Sequence, residues 1–120
     1  VGLKSPPRLD GVSLVPILSD PAARVKLAAF TQHPRPAYTD RTPTGVPDAM
    51  GYGIRTASGR YTEWRDWNTG KLIGSEYYDH QLGPTELTNR VESAKDAEEL
   101  KTAHAALHKQ FSPDLPPAKR

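Results

Sequence analysis

The stretch AMGYGIRTASGRYTEWRDWNTGKLIGSEYYD, residues 49–79, carries the pattern that determines the fold of this 120-residue chain. Three runs within it have the length of strands and many aromatic or β-branched residues: 49–57, 60–67 and 71–79. Ser58-Gly59 lies between the first two runs at hairpin distance, and Asn68-Thr69-Gly70 supplies the turn before the third. The stretch therefore predicts an antiparallel meander.

The middle run shows the two-residue alternation of a strand whose faces meet different surroundings. One predicted face holds Tyr61, Glu63, Arg65 and Trp67, and the other holds Thr62, Trp64 and Asp66. The glycines of Gly51-Tyr52-Gly53 lie within a strand, where they indicate close approach of another group or a bulge. They do not suit a phosphate-binding loop.

The segments before the meander predict a fourth strand and a long loop. Residues 25–32, VKLAAFTQ, are a short apolar run of strand length. Ahead of them, the apolar segment 14–18 predicts one helical turn, capped by Ser13 and tolerant of Pro16 in its first turn. Residues 33–48 hold four prolines and predict a loop, which at that length is typically functional or mobile.

The segment after the meander predicts one amphipathic helix over about residues 90–111. Asn89 followed by Glu92 resembles a capping box. The predicted apolar face holds Ala94, Ala97, Leu100, His104, Leu107 and Phe111. The fold class is therefore α+β, an antiparallel sheet of about four strands with the C-terminal helix packed on it. We divide the chain into a lead-in with a short helical turn (1–24), a folded subdomain (25–111) and a proline-rich tail (112–120).

The composition limits the class of protein. Leu, Ile, Val and Phe make up 22 of 120 residues, but the formal net charge of +2 is too low for charge-driven disorder. Basic and acidic residues are mixed along the chain, so nucleic acid is not an expected partner. No run approaches the ~20 apolar residues of a membrane span. The chain has no cysteine, which excludes a disulfide framework and a thiolate metal site.

The titratable side chains do not by themselves define a catalytic centre. His104 and His108 have the i, i+4 spacing of zinc ligands, but the sequence pairs them with no third ligand, so we predict no metal site. No acid–base pair stands out among the carboxylates around the sheet. We interpret them as a solvated face with cross-strand Arg and Lys partners: Glu63, Asp66, Glu76, Asp79 and Glu86.

The cluster Gln32-His33-Pro34-Arg35-Pro36 puts an amide, an imidazole and a guanidinium at the end of a predicted strand. A guanidinium is a planar fork that suits sulfate, phosphate or carboxylate. Arg35 could equally pair with a carboxylate and hold the long loop in place. The residue chemistry alone leaves both roles open.

Several short segments occur in one order along the chain: FTQHPRP (30–36), MGYGIRT (50–56), RYTEW (60–64), EYYDH (76–80) and PTELTN (84–89). Together they resemble the C-terminal subdomain of sulfatases, most closely the iduronate-2-sulfatase-like branch. The lead-in LDGVSLVPIL (9–18) resembles the segment that precedes that subdomain. The resemblance extends over about residues 9–111.

The resemblance implies that the chemistry lies elsewhere. Sulfatases hydrolyse sulfate esters with a formylglycine made from the Cys or Ser of a C/S-x-P-x-R motif, and they bind calcium in a larger N-terminal α/β domain. This chain has no Cys, and Ser5-Pro6-Pro7-Arg8 places its arginine one residue too early. We therefore predict a C-terminal portion that is inactive alone and docks on that catalytic domain. Calcium and formylglycine are expected only in the complete enzyme, which would be periplasmic, secreted or lysosomal.

The resemblance also implies which residues border the substrate cleft. Gln32, His33 and Arg35 match the family's strand-end motif beside the cleft, and residues 37–48 are expected to tune the choice of sulfate ester. The alternative is an independent module that binds sulfated glycans or a partner protein, since several arginines accompany aromatic residues. That set comprises Arg35, Arg41, Arg55, Arg60 and Arg65 with Tyr38, Tyr52, Tyr61 and Trp64.

Overall fold

The structure, a computed structural model, describes residues 11–36, 46–83, 85–94, 97–114 and 116–117. Within these residues the chain forms two α-helices, four strands and a 3₁₀ turn. The helices are Val15–Ser19 (α1) and Glu98–Gln110 (α2), and the 3₁₀ turn is His80–Leu82. The strands are Ala29–Arg35 (β1), Ala49–Arg55 (β2), Gly59–Asp66 (β3) and Leu72–Asp79 (β4).

The four strands form one antiparallel sheet in the order β1-β2-β3-β4. Each strand pairs with its neighbour in sequence because the turns between β2, β3 and β4 are short. At the first of these turns, the Thr56 amide donates to the Gly59 carbonyl at 2.9 Å. The meander predicted from residues 49–79 and the α+β fold predicted from the sheet and the C-terminal helix are confirmed.

The strand predicted at residues 25–32 is wrong in its bounds, because β1 covers Ala29–Arg35. The four prolines of residues 33–48 predict a loop that begins at residue 33. Pro34 instead lies within β1, opposite Met50. β1 is an edge strand, where a proline can point its missing donor away from the sheet. β1 therefore extends to Arg35, three residues into the segment predicted as a loop.

The helix predicted from about residue 90 is wrong at its start, because α2 begins at Glu98. The Asn89 side chain does not cap a helix and is bonded to β4 instead. Its Oδ1 accepts from the Tyr77 amide at 3.0 Å, and its Nδ2 donates to the Ser75 carbonyl at 3.0 Å. Residues 91–94 form a turn.

α2 lies across one face of the sheet and closes the core. Leu100, Ala103 and Leu107 are buried against β2, β3 and β4, together with Met50, Tyr52, Ile54, Tyr61 and Tyr77. The Phe111 ring packs 4.8 Å from that of Tyr52. His104, which the apolar pattern placed on the buried face, keeps 49% of its side chain exposed.

The two faces of the sheet are named here by their relation to α2. The helix-side face holds Phe30, Gln32, Met50, Tyr52, Ile54, Tyr61, Glu63, Arg65 and Tyr77. The distal face holds Thr31, His33, Arg35, Gly51, Gly53, Arg60, Thr62, Trp64, Glu76 and Tyr78. The alternation predicted for residues 61–65 is confirmed, because Tyr61 and Glu63 lie under α2 and Trp64 does not.

The helical turn predicted in the lead-in is confirmed as α1, although its N-cap is Leu14 and not Ser13. Ser5-Pro6-Pro7-Arg8, Tyr38 and Arg41 lie outside the described residues, as does most of the predicted tuning loop. The boundaries drawn at residues 24 and 111 stay predictions. No helix in the described ranges has both the length and the apolar character needed to cross a bilayer.

Candidate functional site

The centre of the distal face is a stack of Arg35 on Trp64. The Arg35 guanidinium lies 3.7 Å from the centre of the Trp64 ring, a cation–π contact between β1 and β3. Gly51 lies between them in the sheet, and a Cβ added there would come within 2.7 Å of the Trp64 ring. The absence of a side chain at residue 51 therefore lets Trp64 lie flat across β2, with Arg35 above it.

Glu76 holds the other edge of the Trp64 ring. The Trp64 indole Nε1 donates to Glu76 Oε1 at 2.8 Å, and the Tyr78 hydroxyl donates to Glu76 Oε2 at 3.2 Å. Arg60 lies 4.9 Å from the centre of the Tyr78 ring. The distal face thus presents a row in which aromatic rings alternate with charged groups.

The row ends at Glu86, in the segment after β4. Arg60 donates to Glu86 Oε2 from Nε at 2.9 Å and from Nη2 at 2.7 Å, and His80 Nε2 lies 2.7 Å from Oε1. The hydrogen bond from Arg60 holds the pKa of Glu86 below its ordinary value, and His80 adds to that effect. Arg55 contacts the other ring nitrogen of His80.

The predicted site residues do not all lie on one face. His33 and Arg35 are exposed on the distal face, two residues apart on β1. Gln32 points to the opposite side, where it lines a cavity of about 680 Å³ between the edge of β1 and the end of α2. Phe30 and Phe111 line the same cavity. The structure therefore brings together His33 and Arg35 but separates Gln32 from them.

The helix-side face contains a second polar cluster, centred on Glu63. This carboxylate is 1% exposed and accepts hydrogen bonds from three side chains. The Tyr61 hydroxyl donates to Oε1 at 2.8 Å, Arg65 Nε donates to Oε2 at 3.0 Å, and His108 Nε2 lies 2.8 Å from Oε1. His104 Nε2 is 3.5 Å from the same Oε1.

The electrostatics of this cluster keep Glu63 charged. Burial alone would raise the pKa of Glu63, but hydrogen bonds from Tyr61, Arg65 and His108 outweigh it and lower that pKa. Burial, together with the neighbouring Glu63 carboxylate, raises the pKa of Tyr61, so the phenol stays protonated and donates. Burial and the neighbouring His108 lower the pKa of His104, which favours its neutral form.

Sequence reasoning assigned Glu63 to a solvated face, and that interpretation is wrong. The alternation Tyr61-Glu63-Arg65 placed the three residues together but could not show that α2 covers them. It also left His104 and His108 without a third partner. Glu63 is that partner, 45 residues from His108 in sequence. Glu86 and Glu76 do lie on a partly exposed face with arginine and aromatic partners.

Of three comparisons with known proteins, the one with solved structures finds matches. No protein-family model and no curated protein sequence matches the chain. Among solved structures, the fold is similar to BT4656 in complex with its substrate D-glucosamine-2-N,6-O-disulfate. The TM-score is 0.64, the sequence identity is 26%, and the likeness covers 99% of this chain and 23% of that one.

This likeness supports a sulfatase-related fold for the chain. It covers nearly the whole of this chain, including the sheet and α2. The chain spans about a quarter of the length of BT4656. The iduronate-2-sulfatase-like branch receives no support from it.

Proposed function

We propose that this chain is the C-terminal portion of a sulfatase acting on a sulfated sugar, and that it borders the substrate cleft without supplying the catalytic groups. The observation that carries the proposal is the structural likeness to BT4656, whose substrate is a disulfated glucosamine. The ordered sequence motifs point to the same class of enzyme. The sulfated sugar is the substrate class we assign, whereas the motifs alone leave the sulfate ester open.

The distal face supplies a surface suited to such a substrate. Arg35 is exposed and stacked on Trp64, which limits the positions its guanidinium can take. His33 adds a second nitrogen-bearing side chain on the same strand and face. Guanidinium and imidazole groups donate to sulfate oxygens, and bonds to a charged acceptor are the stronger kind. We infer that Arg35 and His33 contact a sulfate group of the substrate.

The remaining catalytic parts are assigned to an N-terminal α/β domain. The chain has no Cys to become formylglycine. Among the described residues of the distal face, Glu76 and Glu86 are each bonded to neighbouring side chains, and we assign neither to a calcium site. We propose that formylglycine and calcium belong to the complete enzyme and act outside this chain.

Two measurements on the purified chain test this proposal. Incubation with an aryl sulfate should give no turnover, and turnover by the chain alone would contradict the proposal. Calorimetric titration with D-glucosamine-2-N,6-O-disulfate should show binding that weakens as salt is added. Arg35→Ala should weaken it by about tenfold, the effect of losing roughly 1.4 kcal/mol. The matched control is Arg24→Ala. Arg24 is exposed and precedes β1, eleven residues from Arg35 in sequence, so this variant should bind like wild type.

The alternative is an independent glycan-binding module, favoured by the arginine–aromatic row on the distal face. The structure narrows the residues that could serve it. Tyr52, Tyr61 and Arg65 are buried on the helix-side face, which leaves, among the described residues of that set, Arg35, Arg55, Arg60 and Trp64. The reading frame upstream of Val1 discriminates the two proposals. A C/S-x-P-x-R motif and calcium ligands encoded there support the sulfatase, and their absence supports the module.

A further inference from the structure

We infer that Glu63, His104 and His108 form a zinc-binding site between β3 and α2. The inference is independent of the distal face and of any sulfated ligand. Each of the three side chains offers one ligand atom, and these atoms lie within 4.8 Å of one another. Two histidines and one carboxylate are a donor set that zinc accepts, with an open fourth position for water or another ligand.

The spacing of the ligand atoms is close to what zinc requires. Ligand atoms bound at about 2.0–2.2 Å to a tetrahedral zinc lie roughly 3.3–3.6 Å from one another. His104 Nε2 is 3.5 Å and His108 Nε2 is 2.8 Å from Glu63 Oε1. The His104–Glu63 distance therefore already fits zinc, and the His108–Glu63 distance fits after a shift of about 0.5 Å.

The backbone holds the three groups in place. His104 and His108 are one turn apart on α2, so their rings lie on the same side of the helix, with centroids 3.9 Å apart. Glu63 projects toward them from the middle of β3, a central strand. The ligands thus come from rigid elements, and little ordering is required when the ion binds.

The neighbours of Glu63 leave one of its lone pairs for a metal. Arg65 bonds to Oε2 from Nε and also donates from Nη1 to the Gly70 carbonyl at 3.1 Å, so these two bonds leave Oε1 to its other neighbours. Tyr61 takes one lone pair of Oε1, and the second faces the histidines. Zinc would bind the neutral imidazole of His108 through Nε2, with the ring proton on Nδ1.

Access to the site is from the His104 side. His104 is 49% exposed and His108 26% exposed, whereas Glu63 is 1% exposed. A cavity of about 310 Å³, lined by Tyr61, Leu100 and His104 among others, adjoins the exposed edge. The cavity gives the ion a path to the site and leaves room for a water molecule at the fourth coordination position of zinc. The positive charge of Arg65, whose Nη2 lies 3.3 Å from His108 Nε2, opposes the ion, so we expect micromolar rather than tighter affinity.

Titration of the metal-stripped 120-residue chain with Co²⁺, followed by displacement with Zn²⁺, tests the site. We expect the visible absorption bands of tetrahedral Co²⁺, their loss on adding equimolar zinc, and a rise of several degrees in Tm with zinc. His104→Ala should weaken zinc binding by at least about tenfold. This side chain is half exposed, so the variant should retain the wild-type circular dichroism spectrum.

Two further variants make the outcome decisive. His108→Ala should weaken zinc binding at least as much as His104→Ala. His33→Ala removes a histidine on the opposite face and should bind zinc like wild type. The inference is overturned if the wild-type chain binds no zinc at millimolar concentration, or if His104→Ala and His33→Ala bind it equally well.

Discussion

The helix-side and distal faces of the sheet each carry an arginine–glutamate pair, and the two pairs differ in their contact with water. Glu63 and Arg65 lie beneath α2, with 1% and 10% of their side chains exposed. Glu86 and Arg60 keep 29% and 35% exposed. Removing one partner of a buried ion pair costs much stability, because the remaining charge stays desolvated. Removing one partner of a partly exposed pair costs little, because water and salt screen the remaining charge. The helix-side pair therefore serves the fold, and the distal face keeps charges that a ligand can still reach.

The largest effect is expected from Glu63→Gln, which breaks the helix-side pair. The change leaves the buried Arg65 without its counter-charge and weakens the bond from His108. We expect a loss of about 3–5 kcal/mol in the free energy of unfolding, measured by denaturant titration. Glu86→Gln is the matched change on the distal face and should cost less than about 1 kcal/mol. Equal losses from both variants would remove the distinction between the faces.

Leu107→Ala tests whether apolar packing under α2 contributes on the same scale. Leu107 is 1% exposed in the core between α2 and the sheet. Its truncation should cost about 2–5 kcal/mol, from lost burial and the cavity left behind. Leu82→Ala, at a side chain 65% exposed, is the control and should stay within about 0.5 kcal/mol of wild type. A small loss at Leu107 would show that α2 is not the element that closes the core.

Gly51→Ala tests the distal face, where Trp64 lies against bare backbone. The new Cβ would meet the Trp64 ring at 2.7 Å and force the ring outward. We expect a loss of about 1–3 kcal/mol and a change in tryptophan fluorescence. Gly74 lies opposite Trp64 on β4 with nothing within 4 Å of an added Cβ, so Gly74→Ala is the matched control. Equal losses of stability and equal fluorescence in both variants would contradict the close packing of the Trp64 ring on Gly51.

The smallest effect is a pH dependence from Glu86. Arg60 and His80 lower its pKa in the folded chain below the ordinary value of 4.5. Its contribution to stability is therefore complete above about pH 4.5 and is lost as the pH falls through the lower folded value. Because the pair is partly exposed, the amount is at most about 1 kcal/mol. Glu86→Gln should show a correspondingly flatter loss of stability in acid, and an unchanged slope would contradict this assignment.

The local pattern predicted the meander, since alternation in residues 60–67 and the turns on both sides are short-range signals. The same signals misplaced β1. Pro34 can lie within this strand because β1 is at the edge of the sheet, and the local sequence does not show which strand is the edge. The local signals also placed the start of α2 too early. The Asn89 side chain bonds to the backbone of β4, a long-range contact that a capping motif in the sequence cannot show. Arg35 was proposed as a site residue from its chemistry, but its contact with Trp64 could not be predicted because Trp64 lies on a different strand. The Glu63 cluster was missed because its members lie 45 residues apart and only the packing of α2 brings them together.

A two-dimensional ¹⁵N NMR titration with D-glucosamine-2-N,6-O-disulfate tests the central claim most directly. The Trp64 indole N–H, which donates a hydrogen bond to Glu76, gives an NMR signal that reports on the distal face. The Trp67→Phe variant removes the other indole signal and so assigns that of Trp64. We predict shifts at the Trp64 indole and at the amides of His33 and Arg35, with α2 unchanged. Shifts confined to α2 and the Glu63 cluster, or no shifts at millimolar ligand, would contradict the assignment of the distal face to a sulfated sugar.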